Sequence, residues 1–452
     1  MNKKYLYWNK DLKIENHNTV RSKLYIDGNK KKIGGFHQIN NSAKDIIMNF
    51  DGMHTYSEVC NKLMEKYNDT YENVDCVIKD FLSEIKKYEV FLIESDSPIQ
   101  KKCILKGEKT IYPEAVSIEL TEKCNLQCIH CYGEFGPDAK IEMSLSNVKK
   151  LLKDLKKIGV MIIELTGGDI TMYPHTLEVV RMAVEMGFSR ISLLTNGVAL
   201  KKEVMDYVIE HKDVCAVQID LHSLKNDYYY WFTKSKNGLE KVKQNIEYLS
   251  QNNVLLRVVT IVTKKNLDEM EEIANWVQER GAFWNTGLSE RVGRADNSSL
   301  NDLYLDDDEK NKYFETLLKL REKNKKLGWL PPEEERTNEH NCGVLTTHTV
   351  ISSSGRVKLC TMEQIPEFEL GNVFHENIKD IFNKNVEFLR AFALQETPRL
   401  DAKECAGCEY QFRCAGCILQ NLLLMKNKNF ECDWYRSKKM NPLIIEKIFG
   451  QN

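Results

Sequence analysis

The sequence predicts an α/β protein built around an incomplete barrel of six parallel strands, a partial (β/α)6 TIM-like barrel. Two observations support this prediction. Apolar, strand-like runs alternate with amphipathic helical patterns at a period of about 30 residues, and six such runs occur, at 115–120, 161–165, 191–194, 214–221, 254–262 and 283–288. This alternation indicates a parallel sheet with its chemistry at the carboxyl ends of the strands. Six strands rather than eight leave a side opening wide enough for a peptide.

Composition limits the classes of protein that the chain can belong to. It has 452 residues, so several domains are expected. The 64 basic and 66 acidic residues nearly cancel, which argues against a nucleic acid or a membrane surface as a partner. No apolar run is long enough to cross a membrane, and the lysine-rich first 30 residues lack the apolar core of a secretory signal. We therefore expect a cytoplasmic protein, in which fourteen cysteines indicate metal ligands before disulfides.

The region 1–100 predicts a winged-helix-like α+β domain. A strand pattern at 22–34 has Asp27-Gly28 as its turn, and it precedes three helical patterns and a short apolar stretch, at 42–50, 55–67, 73–88 and 90–93. A winged helix for DNA is the alternative, but the third helical pattern carries the acidic residues Asp75, Asp80 and Glu84. The order of elements, with 39–43 entering a helix, resembles the RiPP recognition element. That resemblance implies binding of the leader segment of a ribosomally made precursor peptide.

Two further regions follow the barrel, which is assigned to 101–305. A charged helical stretch at 306–340 is expected to act as a bridge. The region 341–452 is rich in cysteine and poor in regular periodicity, with short helices predicted at 422–425 and 443–449. A segment of this kind cannot form a large core, so bound metal is expected to organise it.

The first cysteine motif directly follows the first barrel strand. Cys124, Cys128 and Cys131 have the spacing Cys-x3-Cys-x2-Cys. Three thiolates can bind three irons of a [4Fe–4S] cube and leave the fourth iron open to a ligand, whereas zinc ribbons supply four thiolates. A zinc or ordinary cluster site that borrows a remote ligand is the alternative. The motif and its position resemble the radical S-adenosylmethionine (SAM) superfamily, which implies that SAM binds the open iron.

The resemblance implies further contacts to SAM at the strand ends. Gly167, Gly168 and Asp169 stand where the family has Gly-Gly-Glu, whose carboxylate contacts the SAM amino group, and the glycines allow the backbone to approach a ligand closely. Asn196 lies in the Thr-Asn-Gly sequence that ends the third strand.

Three more positions complete the expected SAM site. Asp220 falls at the ribose-contacting position, Arg257 at one that points toward the SAM carboxylate, and His130 beside the adenine, where packing or a backbone contact is expected. The chain departs from the family at Thr233-Lys234, which replaces an Arg-Gly pair and puts carboxylate binding there in doubt.

The C-terminal region contains seven cysteines, at Cys342, Cys360, Cys405, Cys408, Cys414, Cys417 and Cys432. They resemble the SPASM extension of peptide-modifying radical SAM enzymes, although the last gap within the dense group is two residues rather than three. The resemblance implies two auxiliary [4Fe–4S] clusters. One would be bound by Cys405, Cys408, Cys414 and Cys432, and the other by Cys342, Cys360 and Cys417.

The auxiliary cluster assigned to Cys342, Cys360 and Cys417 therefore lacks one ligand. The vacant iron is open to a substrate thiolate, or His348 completes the set; we favour the open site. A zinc site made by Cys405, Cys408, Cys414 and Cys417 is the alternative. The remaining four cysteines, Cys60, Cys76, Cys103 and Cys215, are expected to be inert core residues.

Likeness across nearly the whole chain is greatest to subtilosin-type sactipeptide maturases, which form thioethers between a cysteine sulfur and a carbon. It implies three [4Fe–4S] clusters, SAM, a precursor peptide with a leader, and a low-potential electron donor such as ferredoxin or flavodoxin. Rival functions are a carbon–carbon crosslink, epimerisation or decarboxylation of a peptide and, outside enzymology, an iron–sulfur or zinc sensor. No side chain is assigned as a catalytic acid or base.

Overall fold

The computed structural model describes most of the chain, namely residues 4–16, 21–26, 37–101, 104–106, 112–296, 299–323, 347–363, 368–395, 397–398, 402–408, 410–414, 417–419, 422, 432–437 and 440–450. The chain divides into two compact units, 1–111 and 112–452, which are treated separately below. None of the helices in these ranges is long and apolar enough to span a membrane.

The first unit contains more strands than the sequence predicts. Its seven described strands are β1 (Tyr5–Trp8), β2 (Leu12–Asn16), β3 (Arg21–Ile26), β4 (His37–Asn40), β5 (Asp51–Thr55), β6 (Leu92–Ser95) and β7 (Ile104–Lys106). They form two sheets, ordered β5-β1-β6 and β4-β3-β2-β7. The sequence indicates only the strand pattern at 22–34 and the apolar stretch at 90–93, because short strands with polar residues leave little alternation to detect. The predicted hairpin turn at Asp27-Gly28 lies outside the described residues.

Three helices complete this unit: α1 (Asn41–Asn49), α2 (Tyr56–Tyr67) and α3 (Tyr71–Ile85). Thr55 starts α2 with a capping box, since its side chain accepts from the N–H of Glu58 and the Glu58 carboxylate accepts from the N–H of Thr55. A groove of about 330 Å³ runs along α3, lined by Leu24, Ile39, Ala43, Ile46, Val77, Asp80, Phe81 and Glu84 among others. Apolar residues dominate this lining, and acidic groups lie on the α3 side.

The second unit confirms the predicted incomplete barrel. Its six parallel strands are β8 (Ala115–Glu119), β9 (Ile162–Thr166), β10 (Arg190–Thr195), β11 (Cys215–Asp220), β12 (Leu255–Val262) and β13 (Phe283–Leu288), which are neighbours in chain order. Residues such as Val116, Ile118, Ile163 and Leu165 are fully buried in the core. The alternate residues, among them Ser117 and Glu164, face the opposite, concave side of the sheet.

Helices cover the convex side of this sheet. The described ones are α4 (Leu145–Lys157), α5 (Thr176–Glu185), α6 (Lys202–Glu210), α7 (Asn226–Thr233), α8 (Gly238–Gln251), α9 (Met270–Glu279) and α10 (Asp307–Lys323). After them come α11 (Ile378–Lys384), α12 (Val386–Leu394), α13 (Gln411–Cys414), α14 (Asp433–Arg436) and α15 (Pro442–Phe449). The helix predicted at 443–449 is therefore present, whereas that at 422–425 lies almost wholly outside the described residues.

The C-terminal region adds three strands to the barrel sheet. They are β14 (His348–Ile351), β15 (Arg356–Lys358) and β16 (Gly371–Asn372). Strand β14 pairs in parallel with β8, with His348 opposite Ala115 and Val350 opposite Ser117, and β15 then pairs antiparallel with β14. The sheet thus has nine strands, of which β13 and β16 are the outer two.

Candidate active site

The cysteine motif Cys124, Cys128 and Cys131 lies on the loop that leaves the carboxyl end of β8. The Sγ of Cys124 accepts hydrogen bonds from the N–H of Leu126 at 3.4 Å and from the side-chain amide of Asn196 at 3.6 Å. Burial raises the pKa of the Cys124 thiol to about 12. A thiolate at this position would therefore need a nearby positive charge, which iron would supply. Three thiols on one loop, one of them with N–H donors at its sulfur, fit an iron–sulfur cluster.

Helix α7 and a later loop hold the cysteine loop in place. The N–H groups of Gln127 and Ile129 donate to the carbonyls of Thr233 and Phe232, at 3.2 and 2.9 Å. Thr233, where the family's Arg-Gly pair is missing, thus supports the loop through its backbone. Arg294 contacts the same loop from a different direction, since its guanidinium donates to the Cys128 carbonyl at 2.9 Å.

Gly167 and Gly168 allow the end of β9 to lie against the cysteine loop. The N–H of Gly168 donates to the Thr121 carbonyl at 2.7 Å. A Cβ on Gly168 would lie 2.3 Å from the Lys123 carbonyl oxygen, and one on Gly167, where φ is +137°, would lie 2.3 Å from the Thr121 carbonyl oxygen. From the sequence, the two glycines were expected to let a ligand approach the backbone closely. In this structure they let the end of β9 approach the backbone of the cysteine loop.

Asp169 has a buried carboxylate that accepts hydrogen bonds from four donors. These are the N–H and hydroxyl of Thr171, the hydroxyl of Thr195 and the N–H of Asn196, the last at 2.7 Å. Burial raises the pKa of Asp169, and these donors oppose the rise. The carboxylate thus ties the end of β9 to the end of β10; its contact with the SAM amino group stays a prediction.

Asn196 is the residue through which this network reaches the cluster motif. Besides its contact with Cys124, its side-chain amide donates to Asn125 Oδ1 at 2.8 Å, and its own Oδ1 accepts from the N–H of Val198. Sequence reasoning identified the residue by its place at a strand end, but its contact with a cysteine sulfur could not be read from the chain.

Asp220 and Arg257 lie on the neighbouring strands β11 and β12. Arg257 pairs in register with Gln218, two residues before Asp220, and is exposed on the concave face. Burial raises the pKa of Asp220 to about 7; the charge of Asp169 adds to the rise and that of Arg257 opposes it. The two residues are therefore electrostatically linked at the site where ribose and carboxylate contacts are predicted.

His130 is packed among aromatic rings. Its ring stacks on Phe232 with 4.4 Å between centroids and meets His222 edge-on at 5.2 Å. Burial lowers the pKa of His130 to about 4, and its Nδ1 has no hydrogen-bond partner among the described residues. The packing role expected from the sequence is consistent with these contacts, while the adenine contact stays a prediction.

Six of the seven C-terminal cysteines lie among the described residues, and Cys342 lies outside them. Cys360 follows β15, and its Sγ accepts from the N–H of Met362 at 3.3 Å. Within the described part of the chain, no three Cys, His, Asp or Glu side chains converge as the ligands of a single metal ion do. A cubane cluster does not need such convergence, because each thiolate binds a different iron.

Two groups of polar contacts on the concave face were not expected from the sequence, which indicated only His348, as a possible cluster ligand. In the first, the side chains of Glu119 and Lys358 are almost fully buried with 3.9 Å between Oε1 and Nζ, and the Tyr132 hydroxyl donates to Glu119. In the second, Ser117, Glu164 and His348 contact one another. The available signal was weak: Ser117, Glu119 and Glu164 interrupt otherwise apolar strands.

Of the four cysteines expected in the core, Cys60 and Cys215 are buried. Cys76 is exposed on α3, so the prediction was wrong for this residue, because it lies on the solvent side of an amphipathic helix. Cys103 lies outside the described residues.

Comparison with known proteins defines the class. Residues 118–277 match the radical SAM superfamily, and residues 342–409 match SPASM, an iron–sulfur cluster-binding domain. Together with the cysteine loop and the partial barrel, these matches identify the chain as a radical SAM enzyme with a C-terminal SPASM domain. A radical SAM domain implies a [4Fe–4S] cluster and SAM, and its general chemistry is reductive cleavage of SAM.

Among its relatives, the chain is 26% identical over 411 residues to the antilisterial bacteriocin subtilosin biosynthesis protein AlbA of Bacillus subtilis, with 90% of each chain covered. It is also 26% identical over 280 residues to the sporulation killing factor maturation protein SkfB of the same organism, covering 60% of this chain and 64% of SkfB. Streptococcus suis SuiB bound to S-adenosylmethionine has the same fold, with a TM-score of 0.57, 14% identity and coverage of 92% and 96%.

Proposed function

We propose that this enzyme installs thioether crosslinks, from a cysteine sulfur to a carbon, in a ribosomally made precursor peptide. Alignment with AlbA over 90% of both chains supports a peptide substrate, as do the similarity to SkfB and a SuiB structure that contains its precursor peptide SuiA. The finer assignment, thioether formation, depends on the auxiliary cluster ligands.

The observation that carries this assignment is the position of His348. The resemblance to SPASM enzymes implies that ten cysteines serve three clusters, so that one auxiliary cluster would have three protein thiolates, from Cys342, Cys360 and Cys417. His348, which could supply a fourth ligand, has its Nε2 within hydrogen-bonding distance of Ser117 and Glu164. Nδ1 is the nitrogen of His348 that is left for iron, and we propose that the iron instead binds the thiolate of a substrate cysteine, which would bring the sulfur close to the reacting carbon.

When bound, SAM and its cluster supply a 5′-deoxyadenosyl radical that abstracts a hydrogen atom from the peptide. The chain itself orients these reactants. Asn196, Asp169 and the two glycines fix the cysteine loop against the ends of β9 and β10, and the concave face of the barrel shields the reacting atoms from water. A low-potential ferredoxin or flavodoxin would supply the electron.

The first unit is proposed to bind the leader of the precursor. Its groove along α3 is lined mainly by apolar side chains, which suits an extended peptide with apolar residues at alternate positions. The acidic groups Asp80 and Glu84 on its α3 side oppose binding of a nucleic acid backbone.

Anaerobic incubation of the reconstituted enzyme with SAM, dithionite and the precursor peptide tests the proposal. Thioether formation removes two hydrogen atoms per crosslink and one iodoacetamide-reactive thiol. A carbon–carbon crosslink leaves the thiol reactive, epimerisation leaves the mass unchanged, and decarboxylation removes carbon dioxide; each of these results would contradict the proposal. Iron content is expected at twelve atoms per chain, four for each cluster, and absence of 5′-deoxyadenosine from fully loaded protein would indicate a sensor.

A further inference from the structure

The side chain of Asn285 faces the interior of the barrel from its last strand, β13. Side chains alternate along a strand, and Trp284, directly before Asn285, is fully buried in the core on the side that the helices cover. Asn285 therefore lies on the concave side, as does Val259 of β12, with which it pairs in register. Among the described strands, β13 is one of the two outer strands of the sheet, so Asn285 lies at the side where the barrel is open.

The oxygen of the Asn285 amide is buried and has no hydrogen-bond partner among the described residues. Buried polar atoms in folded proteins nearly always have such a partner, because leaving one unpaired costs free energy. An asparagine kept for the stability of the strand would use its oxygen within the protein. A ligand that donates a hydrogen bond explains this residue better, since an apolar side chain could occupy the same place without that cost.

Space for a ligand lies beside Asn285 on the same face. Gly287, two residues further along β13, shares this face and pairs in register with Ile261. Among the described residues, a Cβ on Gly287 would meet one atom within 4 Å, the Cδ1 of Ile261 at 4.0 Å. Glycine in a strand often marks a place where a ligand or another backbone approaches closely. A peptide chain can therefore lie against β13 next to the Asn285 amide.

Asn285 is also close to the expected SAM site. Val259 pairs with Asp220 of β11 on one side and with Asn285 on the other. Asp220 and Asn285 are thus two strands apart in one row, roughly 10 Å at the usual spacing of strands. Because Asp220 is the residue predicted to contact the SAM ribose, a peptide bound at Asn285 would pass near the place where the 5′-deoxyadenosyl radical is expected.

We propose that Asn285 binds the backbone of the core peptide, the part of the precursor that is modified, and so helps to select the residue that reaches the radical. Its Oδ1 accepts a hydrogen bond from a peptide N–H, and its amide NH2 is able to donate to a peptide carbonyl. An ionised carboxylate would be a poor ligand, because it offers no donor to Oδ1. This inference depends on the proposed peptide substrate and not on which bond the enzyme forms.

The test compares N285L, N285D and the control T286V with the wild type, all as reconstituted holoenzymes with saturating precursor peptide. Thr286 also has a buried oxygen without a hydrogen-bond partner among the described residues, but it faces the side that the helices cover. We expect N285L to modify the peptide about tenfold more slowly, the effect of one lost hydrogen bond. Formation of 5′-deoxyadenosine without peptide should be unchanged. N285D keeps an acceptor oxygen and should retain more of the rate than N285L, and T286V should match the wild type.

A stability measurement separates peptide binding from a structural role. Because Oδ1 has no hydrogen-bond partner in the described part of the chain, N285L without peptide should have a urea midpoint equal to that of the wild type or higher. A lower midpoint would overturn the inference, as would a wild-type rate in N285L, equal rates in N285L and N285D, or weaker binding of SAM by N285L. Wild-type enzyme that cleaves SAM yet leaves the precursor unmodified would instead overturn the proposed function.

Discussion

Asn196 donates a side-chain hydrogen bond to the sulfur of Cys124, across 3.6 Å between Nδ2 and Sγ. The contact joins the end of β10 to the loop that is proposed to bind the SAM-binding cluster. The Asp169 carboxylate holds Asn196 in place by accepting a hydrogen bond from its backbone N–H. Residues that do not bind iron would thus influence the electronic properties of a cluster bound by this loop.

We expect N196A to lower the midpoint potential of this cluster. An N–H donor withdraws negative charge from a ligating sulfur and so stabilises the reduced state. A hydrogen bond worth about 1 kcal/mol corresponds to about 40 mV for a one-electron couple, which an EPR-monitored redox titration resolves. The control is N245A, whose amide donates to the Gly197 carbonyl and not to sulfur. Equal potentials in N196A and wild type would contradict this account.

A methyl group at Gly168 should displace the cysteine loop. Its Cβ would meet the Lys123 and Glu122 carbonyl oxygens at 2.3 and 2.5 Å, and backbone oxygens cannot move aside cheaply. We expect G168A to lose about four of twelve irons and all SAM cleavage, with the auxiliary clusters retained. G136A is the matched control, because the nearest atom to its Cβ, Gln127 Cγ, is 4.0 Å away. Iron analysis that finds full loading in G168A would refute the steric argument.

The pH dependence of the unfolding free energy should show the ionisation of the buried Asp220 carboxyl group. Its pKa is raised on folding from 3.8 to about 7, mainly by burial, so between these values the folded protein holds a proton that the unfolded chain has released. That contribution is present at low pH and is lost as pH rises through about 7. As the pH rises from 5 to 8, the unfolding free energy of D220N should increase by about 1–3 kcal/mol relative to that of the wild type.

Urea unfolding of the two proteins under anaerobic conditions measures this difference. The comparison with D220N is needed because buried His130 and His222, whose pKa values are lowered, make stability rise with pH over part of the same range. Parallel pH profiles in the two proteins would mean that Asp220 is ionised throughout.

A charge introduced in the α3 groove should weaken leader binding. Val77 lines the groove and is 48% exposed, so V77D should fold normally while placing a carboxylate against apolar leader residues. We expect at least about a tenfold loss of affinity, near 1.4 kcal/mol, by fluorescence anisotropy of a labelled leader peptide. S83D, exposed on the same helix and outside the groove lining, should bind as the wild type does. Equal affinity of both variants would place the leader elsewhere.

The barrel could be predicted because its strands are long, apolar and separated by amphipathic helices, and the cysteine spacing is specific enough to indicate a cluster. The hydrogen-bond partners could not be predicted. Asp169 can be recognised in the sequence as a carboxylate at a strand end. Its hydrogen-bond partners, Thr171, Thr195 and Asn196, are brought together around it only by the fold. Partners in a folded chain depend on three-dimensional proximity, which spacing does not encode.

Strand β14 was missed for a different reason. Its four residues, 348–351, pair with 115–118, more than two hundred residues earlier in the chain. A strand of this length gives too little alternation to be recognised, and no local signal reveals a partner so distant. The Ser117–Glu164–His348 contacts depend on this pairing, and for that reason they were not expected.

The pairing of β14 with β8 also determines how the enzyme can be divided. A chain that ends before residue 341 would leave the backbone N–H and C=O groups of β8 unpaired along one side, and a free strand edge of this kind promotes aggregation. The catalytic barrel is therefore not an independent module of this protein. An exchange of cluster-binding domains between related enzymes should keep β14 with its native barrel, because that strand belongs to the barrel in space although it belongs to the cluster-binding region in sequence.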